Sequence, residues 1–368
     1  MLGVFDVLRR RAEELGEGDR GWILTGLRGV GKTVLLNEML DQVGGRGWIT
    51  AKVEAGTSAS LAASLSQSLL RALRTATGRH PEPRLRRLLG VFKAFSLNVD
   101  PSGCMSLGVE VQPVPGVADS GRLSDDLAAL FETLGETAAD LGIGVLVLID
   151  ELQEATPNEL AALNTAVHHV GQADVPLPVL FMGAGLPSLP GQLAEATSYA
   201  ERLYDYRSIG LLDDEDARRA LSVPARQRDV EWSEDGLVTA ARAAGGYPYF
   251  LQAVGKHVWD SARRSPIDLD DVEVGLAEAR REVDDGLYRS RWERATPAQR
   301  ELLRTMADLG GHGTSTIADI SRSMGKPRPS SISVARDELI KKGLAYSPER
   351  GLLAFTVPGM GEFVLRQP

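Results

Sequence analysis

The chain alternates short apolar runs with longer stretches whose apolar residues recur at helical spacing. That is the pattern of a parallel α/β sheet covered by helices. Five runs read as strands: "WILT" (22–25), "WITAKVEA" (48–55), "VLVLID" (145–150), "PVLFMGA" (178–184) and "DYRSIGLL" (205–212). An amphipathic opening helix precedes them, and helix patterns fall between, notably "SASLAASLSQSLLRALRTAT" (58–77). One segment breaks the rhythm: "FKAFSLNVDPSGCMSLGVEVQ" (92–112) alternates on both sides of "DPSG" and predicts a hairpin inserted before the third strand. From 213 onward the pattern is helical. At "ATPAQRELLRTMADLG" (295–310), Thr296 followed by Pro297 and Gln299 marks a new helix start. Two further helices, "STIADISRSMG" and "RPSSISVARDELIKKG", lead into "LAYSPERGLLAFTVP", which reads as two strands around "PERG". Three short helices closed by a hairpin form the winged-helix pattern. The expected organisation is an α/β core over 1–212 with a hairpin insertion at about 92–113, a helical domain over 213–293 and a winged helix over 294–368.

A length of 368 residues accommodates two or three such domains. With 43% apolar and 25% charged residues, the composition is that of a globular protein. The longest apolar run, "GIGVLVLI" (142–149), falls well short of the roughly 18 to 20 residues of a membrane span. One cysteine, Cys104, excludes an internal disulfide and a cysteine-cluster metal site. A cytoplasmic protein is expected. The net charge of −9 argues against a surface built throughout for nucleic acid. Charge is uneven, however: residues 294–368 hold eleven Lys and Arg against seven Asp and Glu, which makes the C-terminal end basic.

"GLRGVGKT" (26–33) fits G-x-x-x-x-G-K-[ST] at every fixed position and stands between an apolar strand and a helix pattern. In that context the backbone N–H groups of residues 27–33 would form a cradle for phosphate, with Gly26, Leu27, Arg28, Gly29, Val30, Gly31, Lys32, Thr33 and Val34 as the candidate nucleotide-binding residues. Lys32 would reach the β and γ phosphates of a nucleotide, and the Thr33 hydroxyl would ligate Mg²⁺. "VLVLIDELQEA" (145–155) supplies paired acids at the end of a buried strand. Asp150 is the candidate for holding Mg²⁺ and Glu151 for polarising the attacking water. A strand end with a solvated turn is the alternative for such a pair. His168 and His169 are adjacent, so they do not share a helix face as a metal pair would; capping or core roles suit them better.

Together "GLRGVGKT", "VLVLIDE", "GYPYFLQ" and the terminal winged-helix pattern resemble the AAA+ and STAND group of P-loop ATPases, with the layout of origin-recognition-type and archaeal ATPases. The resemblance implies an ATP- and Mg²⁺-dependent ATPase and makes 213–293 a helical lid. It implies that Pro248 packs near adenine, although a helix-start proline reads the same way. It further implies that Arg202, or failing it Arg207, reaches a neighbouring subunit's γ phosphate in an ATP-bound homo-oligomer, a surface salt bridge being the alternative. Relatives often carry a polar residue at the tip of the fourth strand, where this chain has "MGAG" (182–185), so slow hydrolysis is expected. The first functional reading is a switch whose winged helix binds duplex DNA through Lys326, Arg328, Ser330 and Arg336. The alternative is a signalling or scaffolding ATPase whose winged helix binds a protein partner. A remodelling motor is a third reading, without a legible pore loop. What separates the first two is whether Arg328, Arg336, Lys341 and Lys342 form one exposed basic face.

Overall fold

The computed structural model describes residues 1–56, 59–79, 83–99, 117–310 and 314–368. These residues form two compact units, one of Met1–Thr25 with Lys32–Ser208 and one of Gly26–Gly31 with Ile209–Pro368.

The first unit runs α1 (Leu2–Leu15), β1 (Gly21–Thr25), α2 (Lys32–Val43), β2 (Ile49–Glu54), α3 (Leu61–Arg79), α4 (Pro83–Val99) and α5 (Leu123–Asp140). It continues through β3 (Val145–Asp150), a 3-10 turn (Leu152–Glu154), α6 (Pro157–Gly171), β4 (Val179–Gly185), α7 (Leu189–Ala196), α8 (Ala200–Leu203) and β5 (Tyr204–Ser208). The strands pair in parallel in the order β2-β3-β4-β1-β5. Every residue of β3 and β4 is buried, as required of strands covered on both faces. Their continuous apolar runs follow from that burial. The chain is turned back after β3 by a capping box at α6, in which Thr156 and Glu159 satisfy each other's backbone N–H. This α/β architecture is the expected one.

The expected insertion is corrected in part. Residues 92–99 continue α4 as helix and are not a strand. "FKAFSL" mixes apolar and polar residues as a short strand would, but Phe92 and Phe95 also extend the stripe of Leu85, Leu88 and Leu89 at helical spacing, and all five are buried. The helical stripe is the one that forms. The rest of the expected hairpin, with "DPSG" and Cys104, lies outside the described residues.

In the second unit α9 (Asp214–Arg226), α10 (Glu234–Ala244), α11 (Pro248–Ser261) and α12 (Leu269–Glu282) are followed by a π-helical segment (Val283–Arg289) and α13 (Ser290–Glu293). Then come α14 (Pro297–Gly310), β6 (Thr314–Thr316), α15 (Ile317–Ser323), a 3-10 turn (Pro329–Ile332) and α16 (Ser333–Lys341). The chain ends through β7 (Ala345–Tyr346), β8 (Leu352–Phe355) and α17 (Met360–Leu365). Two of its elements have no counterpart in the sequence reading: β6 adds a third antiparallel strand in the order β6-β8-β7, and α17 packs on α14. Among the described residues no helix is long and apolar enough to cross a membrane.

Replacing Phe92 with Ala should lower stability by about 3 to 5 kcal/mol, the range for emptying a buried aromatic site. A loss within about 0.5 kcal/mol in urea denaturation, typical of a surface position, would contradict the helical packing of this segment.

Candidate nucleotide site

In the first unit the chain leaves β1 at Thr25 and enters α2 at Lys32, whose side chain is buried with 4% exposure. The next residue meets the third strand. Thr33 Oγ1 donates a hydrogen bond to Asp150 Oδ2 at 2.5 Å, and Asp150 is the last residue of β3. The other carboxylate oxygen, Oδ1, accepts the Glu151 N–H at 2.9 Å. Glu151 itself has φ 49 and ψ 36, a left-handed conformation uncommon for a side chain of this size. Such strain recurs at functional sites, and here it turns the chain sharply off the strand end. A hydroxyl and a carboxylate in contact are hard oxygen donors of the kind Mg²⁺ takes, so Thr33 and Asp150 fit that ion.

The second unit contains the glycine-rich segment Gly26–Gly31. Gly29 and Gly31 have φ of 81° and 100°, which only glycine adopts without strain. Gly26 has a different reason: a Cβ there would lie 2.3 Å from the Ile209 carbonyl oxygen. At Gly29 a Cβ would come equally close to the Tyr247 hydroxyl. That hydroxyl donates to the Arg28 carbonyl, and burial pushes the phenol up to about 12, so it remains a donor across the neutral range. The Arg28 N–H donates to the Thr356 carbonyl at 3.3 Å, and the Arg28 guanidinium lies where any Cβ on Gly343 would be 2.8 Å away. Arg291 is held below its usual value, first by burial and then by the Arg28 charge. Val30 is buried in the apolar core of this unit, and Leu27 packs at its edge. Val34, by contrast, is 61% exposed on α2. Pro248 opens α11 directly after Tyr247, so the helix-start reading describes its local role.

The remaining candidates lie in the first unit. Arg202 is exposed on α8, just before the start of β5. Since Tyr204 of β5 aligns with Gly21 of β1, Arg202 lies at the opposite strand end from Lys32. Arg207 is already engaged: it pairs with Asp205 at 2.5 Å and lies 3.7 Å over the Trp22 ring. His169 meets Glu132 at 2.9 Å, and the His168 ring stands 4.6 Å from that of Tyr199. The tip of β4 is Gly183, Ala184 and Gly185, without a polar side chain of its own. Gln153 was missed by the sequence reading; its Nε2 donates to Glu151 Oε2 at 2.7 Å. The only sequence signal for it is a polar residue two places after the paired acids.

Residues 4–182 match the family model described as AAA ATPase domain. Residues 285–364 match a second model, described as Domain of unknown function (DUF8462). No curated protein matches the chain. Among solved structures, the Walker-type ATPase paby2304 of Pyrococcus abyssi is similar with a TM-score of 0.58 at 16% identity, over 94% of this chain and 90% of that one. The ORC2 protein of Aeropyrum pernix, in ADPNP-ADP complexes, is similar with a TM-score of 0.56 at 16% identity, over 99% of this chain and 91% of that one. At that identity the two likenesses bear on the fold, a P-loop NTPase sheet with helical elements following. The AAA domain match covers the glycine-rich segment and the paired acids alike.

Lys32→Ala should remove ATP binding, because the phosphates would lose the cation at the head of α2. Fluorescent-ATP titration that still returns micromolar affinity would contradict the assignment of the loop as a phosphate cradle.

Proposed function

We propose that the AAA domain works as a nucleotide-controlled switch that binds ATP with Mg²⁺, hydrolyses it slowly and passes its nucleotide state to a C-terminal winged helix. In this reading residues 1–212 are the ATPase core, 213–293 the lid and 294–368 the winged helix. The observation that carries it is the 2.5 Å contact between Thr33 and Asp150, followed directly by Glu151. Mg²⁺, when bound, draws charge off the phosphates. Gly26 through Gly31, with Val34 at the head of α2, cradle the phosphates with backbone N–H groups, and Lys32 neutralises them. Thr33 and Asp150 hold the ion. Glu151 takes the proton of the attacking water, and Pro248 packs by the base. The A. pernix ORC2 protein, in its ADPNP-ADP complexes, supports a nucleotide in this fold.

Coupling to the winged helix rests on Arg28. One residue of the phosphate-binding segment bonds Tyr247 through its carbonyl and Thr356 through its N–H. Rearrangement of the segment around a nucleotide would therefore be felt at residue 356.

A strand of five residues spans about 13 Å between its end Cα atoms, so Arg202 in one subunit serves the γ phosphate of another. Hydrolysis per subunit should accordingly rise with protein concentration. Arg202→Ala should abolish that rise while leaving ATP binding intact. A concentration-dependent rate in Arg202→Ala equal to that of the native chain would remove this residue from the mechanism.

For the output surface, a protein partner is favoured by what the basic side chains do. Arg336 pairs with Asp337 at 2.7 Å and Lys341 with Glu338 at 3.2 Å. Lys342 turns inward to Gln299 Oε1 at 2.8 Å and to the Arg294 carbonyl at 2.9 Å. Of the four expected to form one basic face, Arg328 alone has no side-chain partner among the described residues. Duplex DNA is the second reading, favoured by the basic charge of residues 294–368. A salt titration of duplex binding with and without ATP separates the two. The protein reading expects weak binding near physiological salt and no effect of ATP. A log–log salt slope steeper than about −3, reduced by about one unit in Arg328→Ala and shifted to tighter binding by ATP, would overturn it in favour of DNA.

A further inference from the structure

Gln153 stands in the 3-10 turn that follows β3, and its side chain reaches across to the end of β4. Its Oε1 accepts the backbone N–H of Leu186 at 3.0 Å. That backbone group can only donate, so the amide oxygen must face it, and the NH₂ end is directed the other way. The NH₂ end meets Glu151 Oε2 at 2.7 Å, with a longer contact to Glu154 Oε1 at 3.3 Å. A neutral amide of this length satisfies both demands at once. A glutamate would accept from Leu186 equally well but would set a second carboxylate against Glu151.

The chain makes room for this arrangement. A Cβ at Gly185 would lie 2.6 Å from Gln153 Oε1 and 2.7 Å from Leu189 Cδ2. Gly185 does not have a positive φ, so the requirement there is for space and not for an unusual backbone. The glycine at the tip of β4 and the glutamine after the paired acids thus read as two halves of one device.

We propose that Gln153 is a positioning residue for Glu151: it fixes the carboxylate from the β4 side so that the carboxylate meets the attacking water in one orientation. It does from the β3 turn what no side chain of the β4 tip does. The proposal rests on the reading of Glu151 as the group that takes the water's proton. In this role Gln153 acts through Glu151, so its effect is on the rate of the chemical step, with nucleotide binding unchanged.

The test measures kcat, KM and ATP affinity on Gln153→Glu, Gln153→Ala, Gly185→Ala, the double variant Gln153→Ala/Gly185→Ala, and Glu151→Gln. Gln153→Glu keeps the acceptor for Leu186 and loses the donor to Glu151. Its kcat should fall roughly 10- to 100-fold, the scale of a misplaced catalytic group, with KM and ATP affinity within about twofold of the native values. Gly185→Ala should lower kcat by pushing the amide aside, and should lower it no further in the Gln153→Ala background, since both changes remove the same contact. A structural role alone would instead lower the unfolding temperature or raise KM with kcat intact; either result, or additive kcat losses in the double variant, overturns the proposal. Native turnover in Gln153→Glu beside an inactive, ATP-binding Glu151→Gln overturns it while leaving the role of Glu151 standing. Native turnover in Glu151→Gln overturns both.

Discussion

The hydroxyl of Thr33 donating to the carboxylate of Asp150 joins the head of α2 to the end of β3 across 117 residues of chain, and the first unit is arranged to make that contact. At 2.5 Å it lies at the short end of charge-assisted O–H···O bonds. β1 and β3 are not neighbours in the sheet; β4 runs between them. The turn after β3 therefore lies across the tip of β4, and the tip must be small. At Gly183 a Cβ would stand 2.8 Å from Leu152 Cδ2 and 2.9 Å from Ile23 Cδ1, and at Gly185 it would strike Gln153. At Gly183 and Gly185 the absence of a side chain in "MGAG" has a steric cause: the space is filled by Leu152 and Ile23 at the first and by Gln153 and Leu189 at the second.

The second unit answers to a different constraint. Gly26–Gly31 is fastened there by Tyr247 and by Thr356, through the carbonyl and N–H of the same residue, Arg28. Both are bonds to backbone, so they fix the path of the segment whatever side chain occupies position 28. On the proposed reading this ties the shape of the phosphate cradle to the terminal module. The Arg28 guanidinium against Gly343 and the depressed Arg291 nearby place positive charge beside the same segment.

Much of this was legible in the residues. The runs of β1, β3 and β4 were legible because a strand buried along its whole length cannot hide its composition, β2 was legible through its alternating burial, and β3 ends at the expected Asp150. Residues 92–99 misled because a short strand-like stretch also fits a helical stripe whose phase is set upstream by Leu85 and Leu88. β6 has only three residues, two of them exposed, and carries no apolar signal of its own. At the site, Lys32, Thr33, Asp150 and Glu151 stood out through spacing. Gln153 did not, because its importance comes from the neighbouring strand end, 33 residues further along the chain. The pairing of Arg336, Lys341 and Lys342 within their own module was equally hidden, since a composition count records charge and not its partner.

On the proposed reading Thr33 and Asp150, in contact at 2.5 Å, hold an ion. Calorimetric titration of ATP into the native chain and into Asp150→Asn, each with Mg²⁺ and with EDTA, tests it most directly. The asparagine keeps the shape and an acceptor for Thr33 but loses the charge that an ion requires. The account expects the native chain to bind ATP at least about tenfold more tightly with Mg²⁺ than without, and Asp150→Asn to lose most of that gain while matching the native chain in EDTA, a coupling of about 1.4 kcal/mol or more. Equal gains from Mg²⁺ in both proteins would contradict it.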